Sequence, residues 1–283
     1  MKTIRDIGEM QQISEAIRLK GRRIGFVPTM GYLHEGHLSL IRRAREASDA
    51  VVLSIYVNPT QFGPNEDLDK YPRDFDRDEA LAKNAGADYL FYPSDAMMYP
   101  KHYLTYVNVD EITTKLCGRT RPGHFQGVTT ICTKLFHIVK PHVAVFGQKD
   151  AQQALIIRRM VKDLNFDLEI ITAPIVREPD GLAMSSRNTY LSSQERNQAL
   201  VLKKSLDLAS QMIEQGERDA VLIQTKMREL INQSPLAKID YVEIVSQEDL
   251  EPISTPQGDV LIAVAVYFGK TRLIDNVMLR LGG

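Results

Sequence analysis

Two histidines lie three residues apart in the segment Pro28–His37, which reads P-T-M-G-Y-L-H-E-G-H. An apolar run ends at the proline, and the residues after His37 carry apolar side chains at helical spacing. The pattern predicts a strand, a turn that contains Gly31, and a helix over 34–47 whose first turn holds His34 and His37. The start of a helix offers unpaired N–H groups and the positive end of its dipole, so we expect this turn to bind phosphate.

Other roles for the two histidines stay open from the residues alone. One ring could be exposed and the other a buried structural histidine, or both rings could bind a metal ion. His-Glu-Gly-His is not the H-E-x-x-H pattern of zinc proteases, however, and no third ligand accompanies it. The position after a predicted parallel strand favours phosphate binding over both alternatives.

Two further polar clusters follow apolar runs. N-P-T-Q at 58–61 comes after a strand predicted at 50–57, and G-Q-K-D at 147–150 comes after one predicted at 142–146. The alternation of strands and helices predicts an α/β fold with a doubly wound parallel sheet. Ligands bind such sheets beyond the carboxyl ends of the strands, and all three polar clusters fall there.

Individual residues in these clusters have simpler interpretations as well. Lys149 could contact a phosphate, or it could be a solvated lysine beside Asp150, which would cap the helix that follows. Gln61 and Gln153 could be surface amides. The segment C-G-R-T-R-P-G-H-F-Q-G at 117–127 predicts a loop, because it combines three glycines, a proline and two arginines.

The regular alternation of predicted strands and helices ends near residue 176, where we place a domain boundary. We predict a Rossmann-like domain over 1–176 and a smaller α+β domain over 177–283. The second part contains a helix predicted at 194–215, and a hairpin of strands predicted at 260–268 and 271–277.

The loop at the start of the second domain contains Met184-Ser185-Ser186-Arg187. Two hydroxyl groups and a guanidinium group form a good clamp for phosphate. The alternative is an ordinary loop between domains, with Ser192 or Ser193 capping the next helix.

The composition excludes several classes of protein. The 283 residues carry a net charge of -1, which gives no attraction to nucleic acid or to an anionic membrane. No apolar stretch reaches the ~20 residues of a membrane span, and the N-terminus lacks the apolar core of a signal peptide. The two cysteines, Cys117 and Cys132, fit neither a disulfide framework nor a zinc site. We therefore expect a cytoplasmic protein with two buried thiols and no nucleic-acid or membrane partner.

Taken together, the motifs resemble the pantoate–β-alanine ligase family over nearly the whole chain. The matching segments fall in the family's order: P-T-M-G-Y-L-H-E-G-H, V-N-P-T-Q-F, Y-P-R, R-P-G-H-F-Q-G-V, F-G-Q-K-D-A-Q-Q, M-S-S-R-N and F-G-K-T-R-L-I-D-N. The family belongs to the nucleotidyltransferases, in which an H-x-G-H turn and a K-M-S-K-S-type loop hold ATP. Here 34–37 matches the turn, and 184–187 stands in place of the loop, with arginine at its last lysine.

The resemblance implies a two-step ligation. ATP and (R)-pantoate form pantoyl adenylate and pyrophosphate, and β-alanine then displaces AMP to give pantothenate. Mg²⁺ would accompany ATP, with Asp74, Asp76, Asp78 and Asp150 as undecided candidate ligands. The resemblance also implies a homodimer. Because the Met184–Arg187 loop lies at its start, we expect the C-terminal domain to close as a lid over ATP and exclude water from the adenylate.

The site residues follow from the same resemblance. His37, His34, Lys149 and Arg187 would be catalytic, with His37 as a proton donor, and Gln61 and Gln153 would bind pantoate. The residues implied at the ATP site are Met30, Gly31, Tyr32, Leu33, His34, Glu35, Gly36, His37, Gly147, Gln148, Lys149, Asp150, Val176, Met184, Ser185, Ser186 and Arg187. Ala151 and Gln148 depart from residues that are common in the family, an aromatic residue and glutamate, at positions peripheral to the chemistry.

Two other functions remain to be distinguished. An adenylyltransferase of the same superfamily would share H-x-G-H and release a dinucleotide-like product, but it gives Gln61 and Gln153 no purpose. A non-catalytic nucleotide-binding module would bind ATP without pantoate-dependent formation of AMP.

Overall fold

The computed structural model describes residues 1–64 and 66–282, so Gly283, the last residue of the predicted second domain, lies outside the described residues. The chain forms two compact units. The first consists of Met1–Thr114, Gly118–Gln148 and Gln152–Pro174, and the second of Lys115–Cys117, Lys149–Ala151 and Ile175–Gly283. Two short segments from the middle of the chain thus belong to the unit formed by its C-terminal part.

The elements up to Pro174 alternate between strand and helix. In chain order they are β1 (Lys2–Ile4), α1 (Ile7–Arg18), β2 (Ile24–Thr29), α2 (Glu35–Ala47), β3 (Ala50–Ile55), α3 (Phe75–Ala85), β4 (Tyr89–Phe91), α4 (Asp95–Met98), α5 (Cys117–Thr120), α6 (His124–Val139), β5 (Val143–Gly147), α7 (Ala151–Asp163) and β6 (Glu169–Ala173).

The six strands form one parallel sheet in the order β1-β4-β3-β2-β5-β6. From β2 the chain proceeds outward through β3 to β4, and later through β5 to β6 on the other side. The strand order therefore reverses between β2 and β5, which confirms the doubly wound sheet. All six residues of β3 are buried, as expected for a strand covered on both faces. The edge strand β1 was not predicted, because three residues are too short to show a pattern.

The crevice at the switch point begins within the sheet itself. β2 pairs with β3 as far as Thr29, but with β5 only at Gly25 and Phe26. Pro28 has no N–H to donate, and it lies on the stretch where β2 has lost its pairing with β5. Strands that diverge in this way leave room for a ligand beyond their carboxyl ends.

The second unit contains an antiparallel sheet in the order β7-β8-β9. Its elements are α8 (Ser193–Ala199), α9 (Val201–Glu214), α10 (Ala220–Ile231), β7 (Ala237–Ser246), β8 (Gly258–Phe268) and β9 (Thr271–Leu281). Its core is formed by buried side chains of α9, α10 and the sheet. The predicted hairpin of β8 and β9 is confirmed, and both strands are longer than expected.

Two expectations about local structure were wrong. The segment predicted as a loop contains the helical turn α5 and the first turn of α6, because Gly118 and Gly127 allow close packing inside these turns while Gly123 precedes α6 with a positive φ of 81°. A Cβ on Gly118 would lie 1.8 Å from the backbone oxygen of Thr113. The helix predicted over 194–215 is interrupted at Leu200, where the backbone keeps helical angles (φ -60°, ψ -18°), so the break is a bend between α8 and α9.

Within the described residues, no helix is both long and apolar enough to cross a membrane.

Candidate active site

The two histidines cap helix α2 and bond to each other's backbone. His34 is the N-cap residue, and its Nδ1 accepts a hydrogen bond from the N–H of Gly36 at 3.2 Å. Nδ1 of His37 accepts one from the N–H of His34 at 3.3 Å, and the two ring centroids are 4.0 Å apart. A nitrogen that accepts a hydrogen bond carries no hydrogen, so each neutral ring bears its hydrogen on Nε2. The backbone thus fixes both rings as Nε2 donors at the positive end of a helix.

The turn before the histidines has an unusual backbone, which a buried carboxylate holds in place. Gly31 and Tyr32 have positive φ angles of 86° and 50°. Asp78 lies on α3, and its two oxygens accept the N–H groups of Tyr32 at 2.6 Å and of Leu33 at 2.7 Å. Burial raises the pKa of Asp78, while the same two N–H groups act to lower it. The side chain of Leu33 is fully buried in the core, so only its backbone could face a ligand.

The Mg²⁺ candidates on α3 differ in their surroundings. Asp78 has both oxygens occupied by backbone groups, and Asp74 is the N-cap of the helix, whereas Asp76 is exposed. Among the described residues, no group of three or more His, Cys, Asp or Glu side chains could hold a metal ion.

A buried amide network follows β3. The side chain of Gln61 is buried; its Nε2 lies 2.9 Å from Sδ of Met30, and its Oε1 accepts a hydrogen bond from Asn58 Nδ2 at 3.2 Å. Asn58 Nδ2 also donates to the backbone oxygen of Gly127 at 3.0 Å, and Asn58 Oδ1 accepts from the hydroxyl of Tyr99 at 2.9 Å. The network brings Gln61, a predicted pantoate residue, to Met30 of the predicted ATP turn.

Helix α6 approaches this network closely at a glycine. A Cβ on Gly127 would lie 2.5 Å from the backbone oxygen of Thr60 and 2.7 Å from the backbone nitrogen of Gln61. Only glycine allows that approach without a shift of the backbone. The first turn of α6 is also tied to the same segment, because Nδ1 of His124 lies 2.8 Å from the backbone oxygen of Gln61.

An ion pair completes this side of the site. Arg121 Nε donates to Glu66 Oε1 at 2.8 Å, and its Nη1 lies 3.0 Å from Nε2 of His124. Burial acts to raise the pKa of Glu66, but the hydrogen bond and charge of Arg121 outweigh it, so the net pKa is lowered. His124 is thereby oriented as a donor to the backbone of Gln61.

A cleft of about 580 Å³ opens beyond the carboxyl ends of β2, β3 and β4. Met30, Tyr32 and Asp78 line it, together with Tyr56 and Arg5. Burial raises the pKa of Tyr56 strongly. The turn predicted to bind ATP therefore lies at an open cleft of the first unit.

The polar cluster after β5 forms a 3₁₀ turn over Gln148–Asp150 that runs directly into α7. Asp150 is the last residue of that turn and directly precedes the first residue of α7. The side chain of Lys149 is largely buried, with 22% of its surface exposed, and its Nζ lies 3.7 Å from Oδ2 of Asp150. Gln153 lies in the first turn of α7 and is half-buried. Gly147 ends β5, which neighbours β2 in the sheet.

The Met184–Arg187 loop follows a short hairpin in the second unit. The N–H of Met184 donates to the oxygen of Val176 at 3.0 Å, and Arg177 pairs with Ala183 across the hairpin. Ser185 then caps a 3₁₀ helix over Ser186–Tyr190, with its Oγ accepting from the N–H of Arg187 at 3.2 Å. Ser192 caps α8, as one alternative had it. Hydrogen bonds thus hold the backbone of the loop that carries Ser185 and Arg187.

Sequence reasoning did not foresee how the site is supported. Asn58 lies in the N-P-T-Q cluster, but nothing in the sequence indicates its structural role. Nothing in the sequence links Tyr99 to Asn58 either, because the two residues lie some forty positions apart. From the sequence, Asp78 is a candidate only as a ligand of Mg²⁺. Its spacing of four residues from Asp74 is the one available clue to another role, since only one of the two could cap a helix that begins there.

Comparison with known proteins identifies a family over almost the entire chain. The family profile of pantoate-beta-alanine ligase matches residues 2–278. A pantothenate synthetase from Thermotoga petrophila is 58% identical over 279 residues, which cover 99% of this chain and 100% of the relative. One from Pelotomaculum thermopropionicum is 59% identical over 273 residues, covering 96% of this chain and 97% of the relative.

Solved structures agree with the sequence relatives. A crystal structure of pantothenate synthetase from Thermus thermophilus has a TM-score of 0.93 and 44% identity, covering 98% of this chain and 99% of that one. A pantoate-beta-alanine ligase from Francisella tularensis, complexed with beta-gamma ATP and beta-alanine, has a TM-score of 0.80 and 35% identity, covering 98% and 97%.

Proposed function

The chain belongs to the pantoate–β-alanine ligase family, and we propose that it condenses (R)-pantoate with β-alanine to give pantothenate, converting ATP to AMP and pyrophosphate through a pantoyl adenylate. A carboxylate oxygen of pantoate attacks the α-phosphorus and pyrophosphate leaves. The amine of β-alanine then attacks the acyl carbon, and AMP leaves with the carboxylate oxygen. Neither step requires a covalent bond to the protein.

One observation in particular supports the ligase over other nucleotide chemistry. The buried carboxamide of Gln61 lies against Met30, in the turn that leads to the paired histidines. A carboxamide can bind both the hydroxyl and the carboxylate groups of a small hydroxy acid. An acid bound there lies next to the phosphate-binding end of helix α2, as adenylation of that acid requires. Gln153, in the first turn of α7, is the second amide that we assign to pantoate.

The roles of the charged and polar groups follow from where charge develops. Negative charge builds on the α-phosphate oxygens and on the departing pyrophosphate. Preorganised donors stabilise such charge most effectively in a site that excludes water. We assign that task to Nε2 of His34 and His37, to Lys149, and to the Ser185–Arg187 loop, with His37 as a proton donor to the phosphate group. The remaining ATP contacts are those of the segments 30–37 and 147–150, with Val176 and Met184.

Mg²⁺ accompanies ATP in this proposal and neutralises phosphate charge when bound. The described residues offer no cluster of three acidic, histidine or cysteine side chains. Phosphate oxygens and water would therefore supply most of its ligands, which suits the octahedral preference of Mg²⁺. Among the acidic candidates, Asp74 and Asp76 are exposed and Asp150 is partly exposed, so these three remain accessible to it.

The assembly and compartment are proposed from the family resemblance and from the composition. We expect a homodimer in the cytoplasm. Size-exclusion chromatography with light scattering gives about twice the chain mass of 32.0 kDa if the dimer forms, and a mass near that of one chain contradicts it.

An omission experiment tests the function. The purified protein is supplied with ATP, Mg²⁺, pantoate and β-alanine, and each is left out in turn while pyrophosphate and AMP are measured. The proposal predicts that steady AMP release requires all four. A dinucleotide-like product would support the adenylyltransferase, and ATP binding without any pantoate-dependent release of pyrophosphate would support a non-catalytic module.

A further inference from the structure

The segment R-L-I-D-N at 272–276 has no part in the chemistry described above. It lies in β9, an edge strand of the antiparallel sheet in the second unit. Asp275 and Asn276 are 2% and 3% exposed, although both are polar. Buried polar groups cost free energy unless they are hydrogen-bonded, so the partners of this pair are informative.

Asn276 bonds to the backbone of a residue that we assign to ATP. Its Nδ2 donates to the backbone oxygen of Lys149 at 3.0 Å, within the second unit. The Lys149–Ala151 segment belongs to that unit although it follows a strand of the first. The carboxamide therefore fixes the main chain from which the Lys149 ammonium group extends.

Asp275 bonds to the hairpin that carries the other predicted ATP segment. Its carboxylate accepts two hydrogen bonds from Arg177, from Nη1 at 2.6 Å and Nη2 at 2.9 Å. Nη1 of Arg177 also donates to the oxygen of Gly181 at 3.0 Å, in the turn of the hairpin. The hairpin ends at Met184, where the Met184–Arg187 loop begins. A bidentate pair of this kind fixes orientation as well as distance.

Asp275 and Asn276 are also joined to each other. The N–H of Asn276 donates to Oδ1 of Asp275 at 2.8 Å. Successive side chains of a strand point to opposite faces, so one short stretch of β9 reaches two separate segments. A buried ion pair adds little stability beyond that of apolar residues packed in its place, whereas its geometry is specific.

We propose that Asp275 and Asn276 are positioning residues for adenylation: Asn276 sets the main chain of Lys149, and Asp275 acts through Arg177 to set the Met184–Arg187 loop. The inference rests on the proposed function, because it takes Lys149 and that loop as contacts of ATP. Neither Asp275 nor Asn276 touches a substrate in it. Their effect is to keep two phosphate-binding segments at a fixed distance within the second unit.

A double-mutant cycle between Asn276 and Lys149 tests the proposal. Asn276→Ala is made in the wild-type chain and in Lys149→Ala, and pantoate-dependent pyrophosphate release is measured at saturating and limiting ATP. In the wild-type background, loss of the hydrogen bond to the Lys149 backbone should displace the ammonium group by less than about 1 Å and lower kcat by about 10-fold. In the Lys149→Ala background the same change should lower kcat by less than about 2-fold, because groups that act through one another are not additive.

Two further variants separate positioning from general stability. Asn276→Asp keeps the shape and removes the Nδ2 donor but adds a buried charge beside Asp275, so thermal unfolding of both Asn276 variants is measured and the loss of kcat is compared only where the variant is folded. Asp259→Asn removes an exposed ion pair with Arg280 on the same β8–β9 pair and should leave kcat unchanged.

The outcomes are distinct. An equal loss from Asn276→Ala in both backgrounds overturns the positioning role alone. Full activity of the Lys149→Ala variant itself overturns the assignment of Lys149 in the proposed function, and the positioning role with it.

Discussion

Gly127→Ala changes one atom at the point where helix α6 touches the amide network. The new Cβ would lie 2.5 Å from the oxygen of Thr60 and 2.7 Å from the nitrogen of Gln61. Both are backbone atoms, so no side-chain rotation relieves the contact. The segment 59–61 and the helix must move apart by about 0.9 Å to reach the ordinary contact distance of 3.4 Å.

Two effects oppose each other in the stability of this variant. Alanine favours a helix interior over glycine by about 1 kcal/mol. Overpacking of a well-packed site costs about 1–3 kcal/mol, and here the clash with backbone atoms places it at the upper end. The free energy of unfolding should therefore fall by about 1–2 kcal/mol, the difference between these two values.

The effect on turnover is expected to be larger. Gln61 must follow the displaced backbone, and an error of about 1 Å in a positioning group costs roughly 10²-fold in rate. We expect kcat/KM for pantoate to fall by about that factor, with the KM for ATP changed little, since Gln61 is assigned to pantoate and not to ATP.

The assay combines thermal unfolding with steady-state pyrophosphate release at varied pantoate. Gly8→Ala is the matched control, because Gly8 lies in helix α1 and its Cβ would meet only the side chain of Asp6 at 3.2 Å. That variant should keep its activity, and its stability should change by less than about 1 kcal/mol, because the helix propensity of alanine is opposed by a tight contact with the capping Asp6 side chain. If Gly127→Ala retains full kcat/KM for pantoate and melts no lower than the wild type, the close contact does not position Gln61.

Three further predictions follow from the site. His37→Ala should lower the rate of adenylate formation by about 10²-fold, as loss of one preorganised donor does. Substitution of the exposed His137 by alanine should leave that rate unchanged. Pyrophosphate release measures both variants, and a near-normal rate for His37→Ala contradicts the role of His37. The side chain of Asp78→Asn can accept only one of the two N–H groups of the turn, so the free energy of unfolding should fall by about 2 kcal/mol. The exposed Asp76→Asn in the same helical turn should change that free energy by less than about 1 kcal/mol. Equal melting temperatures of the two variants would show that Asp78 does not hold the turn. Cys117 and Cys132 are buried, and burial raises the pKa of Cys132 to about 12. Ellman's reagent at pH 8 should therefore label both thiols only after the protein unfolds. Rapid labelling of the native protein would show instead that the thiols are accessible.

Sequence reasoning located the parts of the site that lie in continuous segments. The strand, turn and helix around His34 and His37 were predicted because apolar periodicity and a helix start are local properties. The apolar run of β3 and the alternation of elements similarly gave the parallel sheet. Each of these features can be read within about fifteen residues of sequence.

The support of the site could not be predicted in the same way. Asp78 is forty-six residues from Tyr32, and Asn276 is over a hundred from Lys149, so no local pattern links them. The glycines of 117–127 misled for a related reason: glycine marks flexible loops and close packing alike, and only the tertiary contact of Gly127 with Thr60 separates the two. The lid role of the C-terminal domain stays a prediction.

If the reaction passes through pantoyl adenylate, a carboxylate oxygen of pantoate becomes bonded to the phosphorus of AMP. Pantoate labelled with ¹⁸O in its carboxylate is incubated with the enzyme, ATP, Mg²⁺ and β-alanine, and the products are examined by mass spectrometry. When both carboxylate oxygens are labelled, each AMP should carry one ¹⁸O atom and pyrophosphate should carry none. Unlabelled AMP, or label in pyrophosphate or phosphate, would contradict a pantoyl adenylate.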